Sequence, residues 1–98
     1  MMQSSAQVAT ERGGRYLGQL CSHFGHKLPT ERSPDDSSGE IRFPFGLCRM
    51  SADAAGLTLR VEAEDSEALT RMEEVMERHL ARFAFREPAA IAWVRAAA

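Results

Sequence analysis

Lysine is nearly absent from this chain: eleven of its 12 cationic residues are arginine, and Lys27 is the exception. Charge of one sign is scarce as well, because 14 Asp+Glu almost balance those cations and leave a formal net charge of -2. Nonspecific nucleic-acid binding needs a marked basic excess to neutralise phosphates, so nucleic acid is not an expected partner. No apolar run approaches the ~18 residues of a membrane span, so no membrane partner is expected either. The opening stretch, Met1 to Gly14, lacks the greasy core of a signal peptide, and a cytoplasmic location is expected. Cysteine occurs only at Cys21 and Cys48, too few for a secreted disulfide scaffold. Both lie in apolar periodic stretches, where a reduced cysteine behaves as a small hydrophobe.

Catalytic signatures are missing too. Gly13-Gly14 is not followed by the Gly-Lys-Ser/Thr of a phosphate loop, no Gly-x-Ser-x-Gly elbow occurs, and no carboxylates cluster at metal spacing. No catalytic residue is assigned, and a noncatalytic role is expected. What remains is a 98-residue chain, 44% hydrophobic and 27% charged, the balance of an ordinary globular protein and the length of one domain over residues 1–98. One core can hold such a chain together with modest net stability.

The clearest element is a helix from about Ser66 to Ala84. Leu69, Met72, Met76, Leu80 and Phe83 recur at spacings of three and four, which places them on one face. Glu67, Arg71, Glu74, Glu77, Arg78 and Arg82 occupy the other, with Glu67/Arg71 and Glu74/Arg78 in the favourable i,i+4 order. Asp65 or Ser66 supplies its N-cap. A second helix is expected from Glu11 to Phe24, capped by Thr10 and ended by Gly25 in a left-handed turn. Its buried stripe is Tyr16, Leu17, Leu20, Cys21 and Phe24, and Gly13 and Gly14 weaken its first turn.

Between the helices the period switches to two. Leu57, Leu59, Val61 and Ala63 alternate with Thr58, Arg60, Glu62 and Glu64, as in a strand buried on one face only. Cys48, Met50 and Ala52 alternate similarly, and Ile41, Phe43 and Phe45 form another apolar row. Asp53-Ala54-Ala55-Gly56 and Pro44-Phe45-Gly46 read as hairpin turns, so these three strands form an antiparallel meander. Shorter candidates are Ser4 to Ala9, Lys27 to Glu31 and Ile91 to Arg95, with Ser33 to Gly39 a polar loop.

The expected order is strand, helix, four strands, helix and a short strand. Strands with one wet face need a cover on the other face only, so both helices pack on the same side. The expected fold is α+β, a two-layer sandwich of an antiparallel sheet of five or six strands with two helices on one face. Its connection order resembles one repeat of the TATA-binding-protein-like fold, a likeness that carries no function.

Three side chains draw the metal question. His23 and His26 lie at i,i+3 at the end of the first helix, and His79 falls within the apolar stripe of the second. Helices packed on one sheet face can bring His79 near His23 or His26, and imidazoles near a thiol suit zinc, iron or haem. Cys-x-His-x-x-His is not a standard zinc spacing, however. The plainer reading has His79 at the core edge on a backbone carbonyl, with His23 and His26 satisfying chain ends. A Cys/His nucleophile is disfavoured, because burial raises a thiol pKa. No cofactor is named by these residues.

Arg42, Arg49 and Arg60 fall on the solvent face of the three strands, joined by Arg95, and forked guanidinium contacts suit an anionic ligand or a partner's carboxylates. Glu40, Asp53 and Glu62 share that face and partly neutralise it. No aromatic residue interleaves as stacking on RNA requires. A solvated face laced with ion pairs is one reading, and a dimerisation surface the other.

Three segments together resemble a known family. They are Arg15-Tyr16-Leu17 through Leu20-Cys21-Ser22-His23-Phe24-Gly25-His26-Lys27, then Ile41-Arg42-Phe43-Pro44-Phe45-Gly46, then Arg78-His79-Leu80-Ala81-Arg82-Phe83-Ala84-Phe85-Arg86-Glu87-Pro88 with Trp93. The pattern resembles the bacterial family catalogued as domain of unknown function 2218 over nearly the whole chain. Gly25 stands where an alanine is usual. The resemblance implies a small bacterial protein with no assigned activity. Some similar domains are fused to siderophore-interacting flavin reductases, which release iron from chelates. That association implies an accessory role in iron or siderophore handling, with such a reductase as partner. The same residues equally suit a structural corner packed from Phe83, Phe85, Pro88 and Trp93. Two readings follow: an accessory binding module using the histidine region, or a noncatalytic interaction domain, for instance a homodimer, docking through the open sheet face.

Overall fold

The computed structural model describes residues 1–84 and 91–97. Eight elements follow one another: β1 (Met2–Ala9), α1 (Gly13–Gly25), β2 (Thr30–Arg32), β3 (Ser38–Phe43), β4 (Gly46–Ala52), β5 (Gly56–Ala63), α2 (Ser66–Phe83) and β6 (Val94–Ala97). The strands form one sheet in the order β2-β3-β4-β5-β1-β6, and every neighbouring pair is antiparallel. This is the α+β arrangement expected from the sequence, with six strands where five or six were expected.

The topology explains why both helices share a face. Four alternations of direction make β2 parallel to β1, and two make β6 parallel to β5. Parallel strands need a crossover, and α1 and α2 are those crossovers. β1 and β5 run in opposite directions and their crossovers shift to opposite edges. Two crossovers of the same hand must then cover the same face. Among the described residues no helix covers the opposite face.

Alternation follows the sheet. One inward row runs Thr30, Ile41, Cys48, Val61, Ser4 and Arg95 across all six strands. Under the helices lie the fully buried Ile41, Cys48, Leu57, Leu59 and Val61, packed on Leu17 and Leu20 of α1 and Leu69, Met72 and Met76 of α2. Both predicted helical stripes are therefore the faces that meet the sheet.

Local departures have local causes. Helix α2 is capped by Asp65, whose carboxylate accepts the Ala68 N–H at 2.8 Å. Helix α1 begins at Gly13 rather than Glu11, because the Thr10 hydroxyl accepts the Arg12 N–H and holds the chain in a turn first. Gly13 is buried so tightly that a Cβ there would lie 2.7 Å from the Gly56 carbonyl oxygen, which accounts for a glycine at that point. At the other end α1 continues through Gly25 without a left-handed residue, and the Phe24 carbonyl accepts from the N–H groups of Lys27 and Leu28. Phe45 sits in the β3–β4 turn rather than in a strand. Asp53 is a turn residue, not a member of the open face: its carboxylate accepts the N–H groups of Ala55 and Gly56 at 2.8 and 3.1 Å.

Candidate functional site

The last turn of α1 and the last two turns of α2 come together over the β3 end of the sheet. His23 and His79 face each other with ring centroids 4.9 Å apart and planes tilted by 49°. Phe24 lies 4.6 Å from His79 and 5.1 Å from Phe43, and Phe83 packs edge-on to His23 at 6.0 Å. Phe43 in turn touches Phe45, over which Arg71 places its guanidinium 4.2 Å from the ring centre. His79 is half-buried and His23 exposed, so the pair forms an accessible rim on an apolar floor.

His79 Nδ1 lies 2.7 Å from the carbonyl oxygen of Val75. A carbonyl only accepts, so Nδ1 carries a proton, and the tautomer with that proton has its lone pair on Nε2. Desolvation pushes the His23 pKa below its ordinary 6.5, and the nearby His79, Arg82, His26 and Lys27 push it further in the same direction. His23 is accordingly neutral at pH 7.

His26 does not join the pair. It is exposed and lines a shallow cleft of about 380 Å³ on the β2 side, with Cys21, Ser22, Gly25, Thr30 and Arg32. Of the three candidate metal ligands the structure therefore brings two together. Among the described residues no three His, Cys, Asp or Glu side chains converge as a set that could hold a metal ion.

On the open sheet face one row reads Glu31, Glu40, Arg49, Arg60, Ser5 and Val94 from β2 to β6. Arg49 forms ion pairs with Glu40 at 3.2 Å and Glu62 at 3.7 Å, and Arg42 with Glu40 at 3.2 Å. Arg60 stands directly opposite Arg49 and forms no ion pair among the described residues. Arg95 is on the other face: it lies opposite Ser4 and grips Glu73 of α2. The shift of the last strand from the expected Ile91–Arg95 to Val94–Ala97 accompanies that placement.

The profile of a bacterial family described as "Uncharacterized protein conserved in bacteria (DUF2218)" matches residues 5–94. The chain belongs to this family. Its structure is similar to the NMR structure of PA4090 from Pseudomonas aeruginosa, with a TM-score of 0.81, 33% identity and 96% of each chain covered. No curated protein matches it.

The three segments that carry the DUF2218 resemblance meet around Phe24. Phe24 comes from the first, Phe43 from the second, His79 and Phe83 from the third. The corner read from Phe83, Phe85, Pro88 and Trp93 falls partly outside the described residues, since Phe85 and Pro88 are not among them. Trp93 is, and its indole N–H donates to Glu77 at 2.6 Å. Cys21 and Cys48 are free and buried, and burial raises both thiol pKa values, most strongly for Cys48. Buried thiols of this kind are poor nucleophiles. Sequence reasoning missed Phe24 as the ring between His79 and Phe43, because both phenylalanines read as ordinary members of apolar stripes.

Proposed function

We propose that this DUF2218 chain is a noncatalytic accessory binding module in iron or siderophore handling, with its ligand site at the rim formed by His23 and His79. The carrying observation is the accessible pair of imidazoles, 4.9 Å apart, beside phenylalanine rings. Imidazole is a common ligand for iron and its neighbours. The link to iron comes from the family resemblance, through domains fused to siderophore-interacting reductases, and such a reductase is the partner this reading names. Two buried free thiols support a cytoplasmic setting. The strand, helix, four strands, helix order supports kinship with the TATA-binding-protein-like architecture, a kinship of fold alone. Equilibrium dialysis of the purified chain against ferrous iron, and against a ferric hydroxamate chelate, tests the reading. Retention of either is expected, and its absence for both overturns the proposal.

A second reading, self-association through the open face, is favoured by the cross-strand order of charges. Glu31 and Glu40 are followed by Arg49 and Arg60. A two-fold axis parallel to the strands between β3 and β4 lays Glu40 over Arg49 of a second copy, and Glu31 over its Arg60. Such an isologous contact is self-complementary. Its polar character makes it salt-sensitive. A concentration series in size-exclusion chromatography at low salt tests it: a mass that stays monomeric throughout rules it out.

A further inference from the structure

We propose that His79, through Nε2, and His23, through a ring nitrogen, chelate one borderline first-row divalent cation and leave its remaining coordination positions to an exogenous ligand. The proposal rests on the binding-module reading and narrows it to direct coordination by two named side chains.

Ring separation is the first argument. A zinc-like ion binds imidazole nitrogen at about 2.0–2.1 Å. With the ring centre about 1.1 Å beyond the nitrogen, each centroid lies about 3.2 Å from the metal, and cis angles of about 90–110° place the two centroids roughly 4.5–5.2 Å apart. The observed separation is 4.9 Å. The 49° tilt is neither parallel stacking nor an edge-to-face contact, so the pair has not settled into either ordinary ring geometry.

Orientation is the second. A metal-binding histidine typically donates its other ring N–H to a carbonyl or carboxylate, which fixes the tautomer and aims the lone pair. The Val75 carbonyl does this for His79 at 2.7 Å. His23 is held among Phe24, Phe83 and His79, and its neutral form is favoured by its surroundings. Both rings stand on packed helices rather than on loops, so little rearrangement is needed to bind.

The donor set selects the ion. Two imidazoles without a carboxylate suit copper, nickel, zinc or ferrous iron and do not suit magnesium or calcium, which require oxygen ligands. Because no third protein ligand converges among the described residues, the ion keeps positions that water or a small chelator fills. A half-chelated metal of this kind is a capture point for metal already carried by another molecule.

Zinc(II) and copper(II), titrated separately into the purified chain by calorimetry, are the probes, with magnesium as control. A single site is expected for each transition ion and none for magnesium. His23→Ala and His79→Ala should each weaken zinc at least tenfold, and His26→Ala should leave it within twofold. His79 is half-buried, so His23→Ala, at an exposed position, carries the test if the other variant folds poorly. Zinc should also shift the imidazole NMR signals of His23 and His79 and spare those of His26. Unchanged affinity in His23→Ala, or loss in His26→Ala, overturns the assignment. A chain that retains a ferric chelate but binds neither zinc nor copper also overturns it, while leaving the module reading standing.

Discussion

Arg95 grips Glu73 with two parallel contacts, Nε to Oε2 at 3.1 Å and Nη2 to Oε1 at 2.9 Å, and so fastens the last strand to the second helix. The same Nη2 reaches the Thr70 hydroxyl at 2.7 Å. Hydrogen bonding to Arg95 pulls the Glu73 pKa below its ordinary 4.5, against an opposing push from burial. A carboxyl with a depressed folded pKa contributes stability that is present above 4.5 and is lost as pH falls through the folded value. Glu73→Gln should therefore cost about 1 kcal/mol near pH 7, because it removes one charged partner of a half-exposed forked pair. The cost should shrink as the pH drops below 4. Chemical denaturation at pH 7 and at pH 3 checks both statements, and faster amide exchange in β6 should accompany the loss.

Gly13, at the start of α1, packs closely against Gly56 of β5. A Cβ on Gly13 would lie 2.7 Å from the Gly56 carbonyl oxygen, an atom of the backbone that cannot swing away. Overpacking of this kind costs about 1–3 kcal/mol, against the gain of up to about 1 kcal/mol that alanine brings to a helix. Gly13→Ala should therefore destabilise the chain. Gly14→Ala, where the nearest contact is 3.4 Å from the Asp36 carbonyl oxygen, should be neutral or stabilising. Urea midpoints of the two variants decide the matter.

These two contacts show what the sequence made legible and what it hid. The α2 stripe and the alternation of β5 could be read because burial imposes a period on the chain itself, and Asp65 could be read as a cap because its partner lies three residues away. The hold of Arg95 on Glu73 could not, because it depends on which face a short final strand presents, and a shift of one residue reverses that face. The expectation that His79 lies near His23 or His26 followed from helical wheels and from two helices sharing one sheet face. The exclusion of His26 depended on how α1 ends. Three residues past His23, a helical backbone has turned by about 60° from it, and His26 faces β2 instead.

Arg60 and Arg49 are directly opposed on adjoining strands. Like charges in that position are destabilising, and an opposite-charge pair there contributes roughly 0.2–1 kcal/mol. Arg60→Glu should therefore raise stability by a few tenths of a kcal/mol up to about 1 kcal/mol at low ionic strength, with the gain fading in salt. In the self-association reading the same change places an acid over Glu31 of a second copy and abolishes the dimer. Thermal melts at two salt concentrations, combined with sizing of the variant, separate the two effects.

His23 should make the fold sensitive to mild acid. Desolvation and the nearby His79, Arg82, His26 and Lys27 lower the His23 pKa from 6.5, so the unfolded chain binds this proton more readily than the folded one. Stability from this group is then complete above pH 6.5 and declines as pH falls through the folded value. Bound zinc competes with the same proton, so its affinity should hold at neutral pH and fall below pH 6. His23→Gln should flatten the stability profile: its stability should fall less than the parent's as pH drops below 6.5, and zinc should bind at least tenfold more weakly at neutral pH. A His23→Gln variant whose stability still declines over that range as steeply as the parent would place the acid sensitivity elsewhere in the molecule.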